Sequence, residues 1–254
     1  MKRIPVILLL LVVWLQATGQ ESEALSPVLQ ELADNMVRVD GGTFTMGAAP
    51  NQLSDAESDE KATHKVTLDT FYICKYEVTQ DLWTYVMGSN PSHFKGARLP
   101  VENVTWDECR QFIEKLNTLT GEHYRLPTEA EWEFAARGGN MSKGYKYAGS
   151  NVASDVAWYS GNSGKRPHNV GEKKPNELGL YDMSGNVYEW CQDWKAPYTR
   201  NPQVNPQGPE EGSVRSNRGG RWCGSARACR TSDRSVSNPD YRFYHLGMRL
   251  ALTK

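Results

Sequence analysis

Apolar positions along the chain fall into short periodic stretches separated by polar, glycine-rich segments. Leu25, Val28, Leu29 and Leu32 recur at helical spacing, which predicts a short helix within residues 21–36. Val37 and Val39, the Gly41-Gly42 pair and Thr43-Phe44-Thr45-Met46 alternate as a hairpin would, and strand character returns from Lys65 to Tyr76. Residues 48–63, between them, are acidic and polar and are expected to form an exposed loop.

Three further helices carry start signals. Thr79 precedes Leu82, Tyr85 and Val86 on one face. Thr105 and Glu108 form a capping-box pattern ahead of Trp106, Cys109, Phe112, Ile113 and Leu116. Thr128 and Glu131 repeat that pattern after Pro127, in a helix that runs through Trp132, Phe134 and Ala135 and stops at Gly138-Gly139. From Asn140 onward, Gly, Asn, Ser and Pro recur so often that only short strands fit. Abundant Trp, Tyr and Gly without long apolar runs predicts a loop-rich α+β domain and not a doubly wound sheet.

Lys2 and Arg3, the apolar run Ile4 to Leu15 and the small residues Ala17-Thr18-Gly19 read as a signal peptide over residues 1–20. Residues 21–36 then serve as a lead-in to one domain, 37–254. No later stretch reaches the ~20 apolar residues of a spanning helix, and no cysteine stands near the expected cleavage point. The expectation is therefore a secreted or periplasmic protein without membrane insertion or a lipid anchor. With 29 basic and 30 acidic residues and no basic stripe, nucleic acid and anionic lipid are not expected partners. Five cysteines are an odd count for an oxidising compartment, so at least one thiol is expected to be unpaired or paired between chains.

Several segments occur together in order: Gly41-Gly42-Thr43-Phe44-Thr45-Met46-Gly47, Tyr76-Glu77-Val78-Thr79 and Arg125-Leu126-Pro127-Thr128-Glu129-Ala130-Glu131-Trp132-Glu133. Gly179 to Trp190, read Gly-Leu-Tyr-Asp-Met-Ser-Gly-Asn-Val-Tyr-Glu-Trp, and the closing Arg218-Gly219-Gly220 to Leu246-Gly247-Met248-Arg249-Leu250 complete the set. Over about residues 36–254 the chain resembles the sulfatase-modifying-factor, or formylglycine-generating-enzyme, family. The resemblance implies a C-type-lectin-like α+β fold.

Catalytic members of that family resemble copper-dependent oxidases in which two cysteines separated by four residues bind Cu(I), for which thiolates are suited ligands. By that resemblance Cys223 and Cys229 are the candidate catalytic pair. Five residues separate them, however, and the Cys-His-x-Ser-Tyr-Cys pattern is absent from the stretch Cys223 to Cys229. Arg221 stands where the family typically has a serine after the glycine pair. The alternative for Cys229 is a disulfide, with Cys109 as a candidate partner; for Cys223 it is a surface thiol, while Cys74 and Cys191 either pair or lie in the core.

The resemblance also marks Asn186 and Glu189 as candidate calcium ligands, oxygen donors suited to a hard cation. The competing reading puts Glu189 in a buried ion pair with an arginine and Asn186 in a turn. Tyr241, Phe243, Tyr244 and His245 are candidate ligand-binding residues, because aromatics flanked by Ser, Gly and Asp suit adaptable binding surfaces.

Three functions follow as expectations. The first is a ligand- or protein-binding module whose copper site has degenerated. The second is an oxidase acting on a sulfatase cysteine. The third, also by resemblance, is a variable display protein of a diversity-generating retroelement.

Overall fold

The computed structural model describes residues 26–253. The signal-peptide reading of residues 1–20 and the start of the lead-in lie outside them. The elements in chain order are α1 (Pro27–Asp34), β1 (Met36–Val39), β2 (Gly42–Met46), β3 (His64–Leu68), β4 (Phe71–Cys74), α2 (Gln80–Met87), α3 (Trp106–Thr120), β5 (Tyr124–Arg125), α4 (Glu129–Ala136) and α5 (Ala153–Val156). Then come β6 (Tyr188–Trp194), β7 (Gln203–Val204), β8 (Arg215–Arg218), β9 (Ser235–Ser237), β10 (Leu246–Met248) and β11 (Ala251–Leu252). They form three small sheets, ordered β1-β4-β11-β5, β10-β6-β8-β9 and β2-β3-β7, in an α+β, C-type-lectin-like arrangement.

Local chemistry sets the helix starts. Thr105 Oγ1 accepts the Glu108 amide at 3.1 Å while the Glu108 carboxylate accepts the Thr105 amide at 2.9 Å. Thr128 and Glu131 make the same reciprocal pair at 3.2 and 2.9 Å, so both expected boxes are formed. Gly121 then ends α3 in the left-handed conformation, at φ 72°.

The expected β1–β2 hairpin is not formed. β1 pairs antiparallel with β4, and β2 with β3, so the two strands join different sheets. Neither Gly41 nor Gly42 takes the positive φ of a two-residue hairpin turn. Gly41 is needed because the chain crosses the β3–β4 connection closely: an added Cβ would lie 2.6 Å from the Leu68 carbonyl oxygen. Period-two alternation continues through such a crossing, which is why it mimics a hairpin.

Residues 48–63 also depart from expectation, since Gln52 and Glu60 are fully buried within two single-turn 3-10 helices. Glu60 accepts two hydrogen bonds from Arg230, each 2.7 Å. An acidic residue in a polar stretch has found its counter-charge 170 positions away.

All five thiols are free. Cys109 sits in the main core with Phe112 and Trp190, whereas Cys229 belongs to a separate small cluster with Tyr147, Val156 and Ala157, so the expected Cys109–Cys229 bridge is not made. Cys74 lies in the first core and Cys191 in the second, around Trp132 and Phe134, as buried apolar side chains.

The interior carries three fully buried arginines: Arg218, Arg230 and Arg249. Each is answered by a buried carboxylate, Glu133, Glu60 and Glu189 respectively. These pairs tie the C-terminal segments to the single turn at Glu60, to α4 and to β6.

Candidate functional site

The turn Gly219-Gly220, at φ 97° and 80°, releases the chain from β8. Gly220 has no room for a side chain, because a Cβ would lie 2.7 Å from the Cys229 sulfur. Trp222 follows, anchored by its amide to the Asn186 carbonyl at 2.7 Å and by Nε1, which donates to the Tyr244 carbonyl at 3.2 Å. On the other side, the segment before β10 is pinned through its backbone: the Phe243 carbonyl accepts from the Asn103 amide at 2.9 Å and the His245 carbonyl from the Tyr188 amide at 2.8 Å.

These anchors decide which aromatics are displayed. Phe243 packs on the main core and stacks on His245, with ring centroids 5.1 Å apart and planes at 15°. Tyr241 and Tyr244 remain 55% and 49% exposed. Tyr244 lies 6.0 Å from Trp222 and 5.8 Å from His93 by ring centroid, and Phe94 meets Trp222 edge-on at 5.5 Å. The four residues expected to bind ligand are therefore brought together, and His93, Phe94 and Trp222 extend them into one aromatic face. Sequence reasoning missed His93 and Phe94, which come from the loop after α2 with no motif to mark them.

Arg221 lies within this face. Its Nη1 donates to His245 Nε2 at 2.7 Å, and the guanidinium sits 5.4 Å from the Tyr188 ring centroid. Burial, and then the neighbouring Arg221 charge, push the His245 pKa down to about 4, so the imidazole is neutral at physiological pH.

The candidate cysteine pair occupies two unlike environments. Cys229 is fully buried, its thiol donating to the Ser225 carbonyl, and burial pushes its pKa up to about 12. Cys223 faces solvent. Its thiol is also raised above the ordinary value, by partial desolvation that outweighs the lowering effect of Arg221. Thiolate is the form that binds soft metals and reacts, and neither position favours it.

Asn186 and Glu189 lie in a buried acidic centre behind the aromatic face. Glu189 gives its carboxylate to Arg249, at 2.7 to 3.1 Å, and to Trp132 Nε1, at 2.7 Å. Asn186, in the left-handed region at φ 60°, donates to Glu77 at 2.6 Å and accepts the His168 amide at 2.9 Å. Both expected calcium ligands are thus engaged with protein groups.

Two further buried acids, left unassigned by sequence reasoning, crowd the same centre. Glu77 is buried and, among the described residues, its carboxylate accepts from Asn186 and from the Val187 amide. Asp182 accepts the Gly171 amide at 2.7 Å with one oxygen, while its other oxygen, Oδ1, is buried with no partner. Burial, reinforced by Asp182 and Glu189, pushes Glu77 well above the ordinary carboxylate range. Burial also raises Asp182, to about 6. Three carboxylates face one guanidinium here. Among the described residues no three Asp, Glu, His or Cys side chains are grouped as a ready metal site. Even so, an orphaned carboxylate oxygen beside a second uncompensated acid is chemistry that a hard cation satisfies. The signal available in the sequence was Glu77 itself, within the Tyr76-Glu77-Val78-Thr79 segment.

The model of the sulfatase-modifying factor enzyme 1-like domain matches residues 21–254. The chain is 37% identical over 251 residues to chaperone protein LppX of Paenibacillus barcinonensis, covering 79% of this chain and 83% of that protein. It is 34% identical over 195 residues to the formylglycine-generating enzyme of Streptomyces coelicolor, covering 66% of this chain and 60% of the enzyme. Among solved structures, Treponema denticola variable protein 1 superposes with a TM-score of 0.79 at 34% identity, covering 86% of this chain and 95% of that one.

Proposed function

This chain belongs to the sulfatase-modifying-factor family, and we propose that it is an exported binding module that holds a protein partner on its aromatic C-terminal face. The observation that carries this reading is the run of ring contacts that joins Tyr241 through Phe243 and His245 to Tyr244 and on to His93, with Tyr241, Tyr244 and His93 exposed and the buried Trp222 behind them. Large aromatics held by a rigid backbone offer contact area at little entropic cost. A relative named as a chaperone and a structural neighbour named as a variable protein both favour a protein partner over a small ligand. A display protein of a diversity-generating retroelement would use the same face.

The oxidase reading requires Cys223 and Cys229 to hold Cu(I) together and to act on a sulfatase cysteine. We expect the reduced protein to show no stoichiometric Cu(I) binding that depends on this pair. A sulfatase-motif peptide incubated with the protein and copper under oxygen should keep its mass. Tight binding with loss of the peptide thiol would install the oxidase reading instead.

We further propose that calcium is held at the acidic centre by Glu77 and Asp182, in place of the Asn186 and Glu189 pair. Bound there, calcium would supply counter-charge beside the turn that carries the Asn186 carbonyl, to which Trp222 is anchored. Calcium a hundredfold above its Kd would stabilise by about 2.7 kcal/mol, raising Tm of EDTA-treated protein by ~5–11 °C. Glu77→Gln should abolish that rise in a calorimetric titration; an unresponsive wild type would remove calcium from the account.

A further inference from the structure

We propose that the partner presents a carboxylate to Arg221, so that the aromatic face selects acidic segments; this rests on reading that face as the binding surface. Among the described residues, no carboxylate lies within ion-pair distance of Arg221. Arg242, on the neighbouring segment, is by contrast held by both oxygens of Glu108. The Arg221 guanidinium is half-buried, and its Nε–H is shut off from water without an acceptor. Its Nη1 is spent on a neutral imidazole, which leaves the proton on His245 Nδ1, a second buried donor without an acceptor.

An unanswered cation and two unsatisfied N–H groups in one place are costly to a free protein. The buried arginines of the core, Arg218, Arg230 and Arg249, all have carboxylates. Arg221 departs from that pattern where the chain is exposed, and a docking carboxylate would supply the missing counter-charge in the forked geometry that guanidinium favours.

The surroundings have the same sign. Phe94, which contacts Trp222, also lines a neighbouring cleft of about 330 Å³ with Lys95, Arg166, His168 and Glu172. Lys95 donates to the Asn90 carbonyl and not to an acid, and Arg166 is exposed. The one acid in the cleft, Glu172, is engaged by His168 at 3.5 Å and Asn169 at 3.1 Å. Asp233, behind the face, belongs to Arg230 at 3.1 Å. Asp240 is exposed at the start of the segment and makes no ion pair with Arg221. The buried Glu102 carboxylate lies beneath His93 and Lys95 and is spent in part on the Phe94 amide, so a partner approaching this rim meets aromatic rings and the exposed cations Lys95 and Arg166.

The test is an NMR titration of the full-length protein with two capped peptides of equal aromatic content, Glu-Tyr-Trp-Glu and Lys-Tyr-Trp-Lys. The acidic peptide should shift the Trp222, Tyr244 and His245 resonances and bind at least about tenfold more tightly than the basic one. Arg221→Gln should erase that preference while leaving the free protein as stable as wild type, or more so, by calorimetry. Equal binding of both peptides at these resonances, or a preference that survives Arg221→Gln, would overturn the charge inference and leave the binding face standing. Binding of neither peptide at the face would overturn both.

Discussion

Replacing Arg249 with methionine is expected to destabilise the protein by about 3–5 kcal/mol, a fall in Tm of ~6–20 °C. Arg249 is fully buried between β10 and β11 and donates to Glu189, to the Cys74 carbonyl at 2.9 Å and to the Tyr181 carbonyl at 2.8 Å. Methionine replaces the apolar stem but not the guanidinium, and leaves the Glu189 carboxylate in the dry interior with only the Trp132 indole to answer it. Glu77 and Asp182 lose the same nearby cation. Adding Glu189→Gln to the variant removes the stranded charge and should recover a measurable part of the loss. Calorimetry of the four proteins in the cycle reads this coupling directly, and a cost for Arg249→Met below about 1 kcal/mol would show that the pair contributes little beyond packing.

The second large effect falls on binding and spares stability. Tyr241→Ser combined with Tyr244→Ser should weaken partner affinity by ~30-fold or more, because even one aromatic anchor of this kind is worth about 2 kcal/mol or more at an interface. Both rings stand about half in solvent in the free protein, with exposures of 55% and 49%. Their loss should therefore change folding stability by no more than about 0.5 kcal/mol each. The contrast between the two predictions separates the frame that Arg249 supports from the surface it presents.

What could be read from the sequence was local or motif-borne. The caps at Thr105 and Thr128 are decided within four residues, and both formed as read. The ordered family segments gave the fold, and the aromatics at 241–245 lie in ring contact with one another, with Tyr241 and Tyr244 exposed and Phe243 packed on the core. Pairing over distance was not legible. The alternation of Val37, Val39, Phe44 and Met46 says that a strand is present, but it does not say that β1 seeks β4 while β2 seeks β3. Glu60 looked like one more acid in a polar loop, since its partner Arg230 is fixed only by the tertiary fold. In the acidic centre, the reading of Glu189 as half of a buried ion pair is the arrangement seen, with Arg249, 60 positions later, as the arginine the sequence left unnamed; Glu77 and Asp182 were not singled out, because their crowding arises only in the tertiary fold. His93 and Phe94 reach the face through a loop whose course no periodicity reveals.

The central claim is that binding belongs to the aromatic face and not to the cysteines. The most direct measurement compares partner capture from the exported proteins of the source cells by wild type, by Cys223→Ser/Cys229→Ser and by Tyr241→Ser/Tyr244→Ser, each verified as folded. The account predicts that wild type and the cysteine variant retain the same protein with the same affinity, and that the tyrosine variant loses it. Retention by the tyrosine variant together with loss by the cysteine variant would contradict the account and place the function at the thiols.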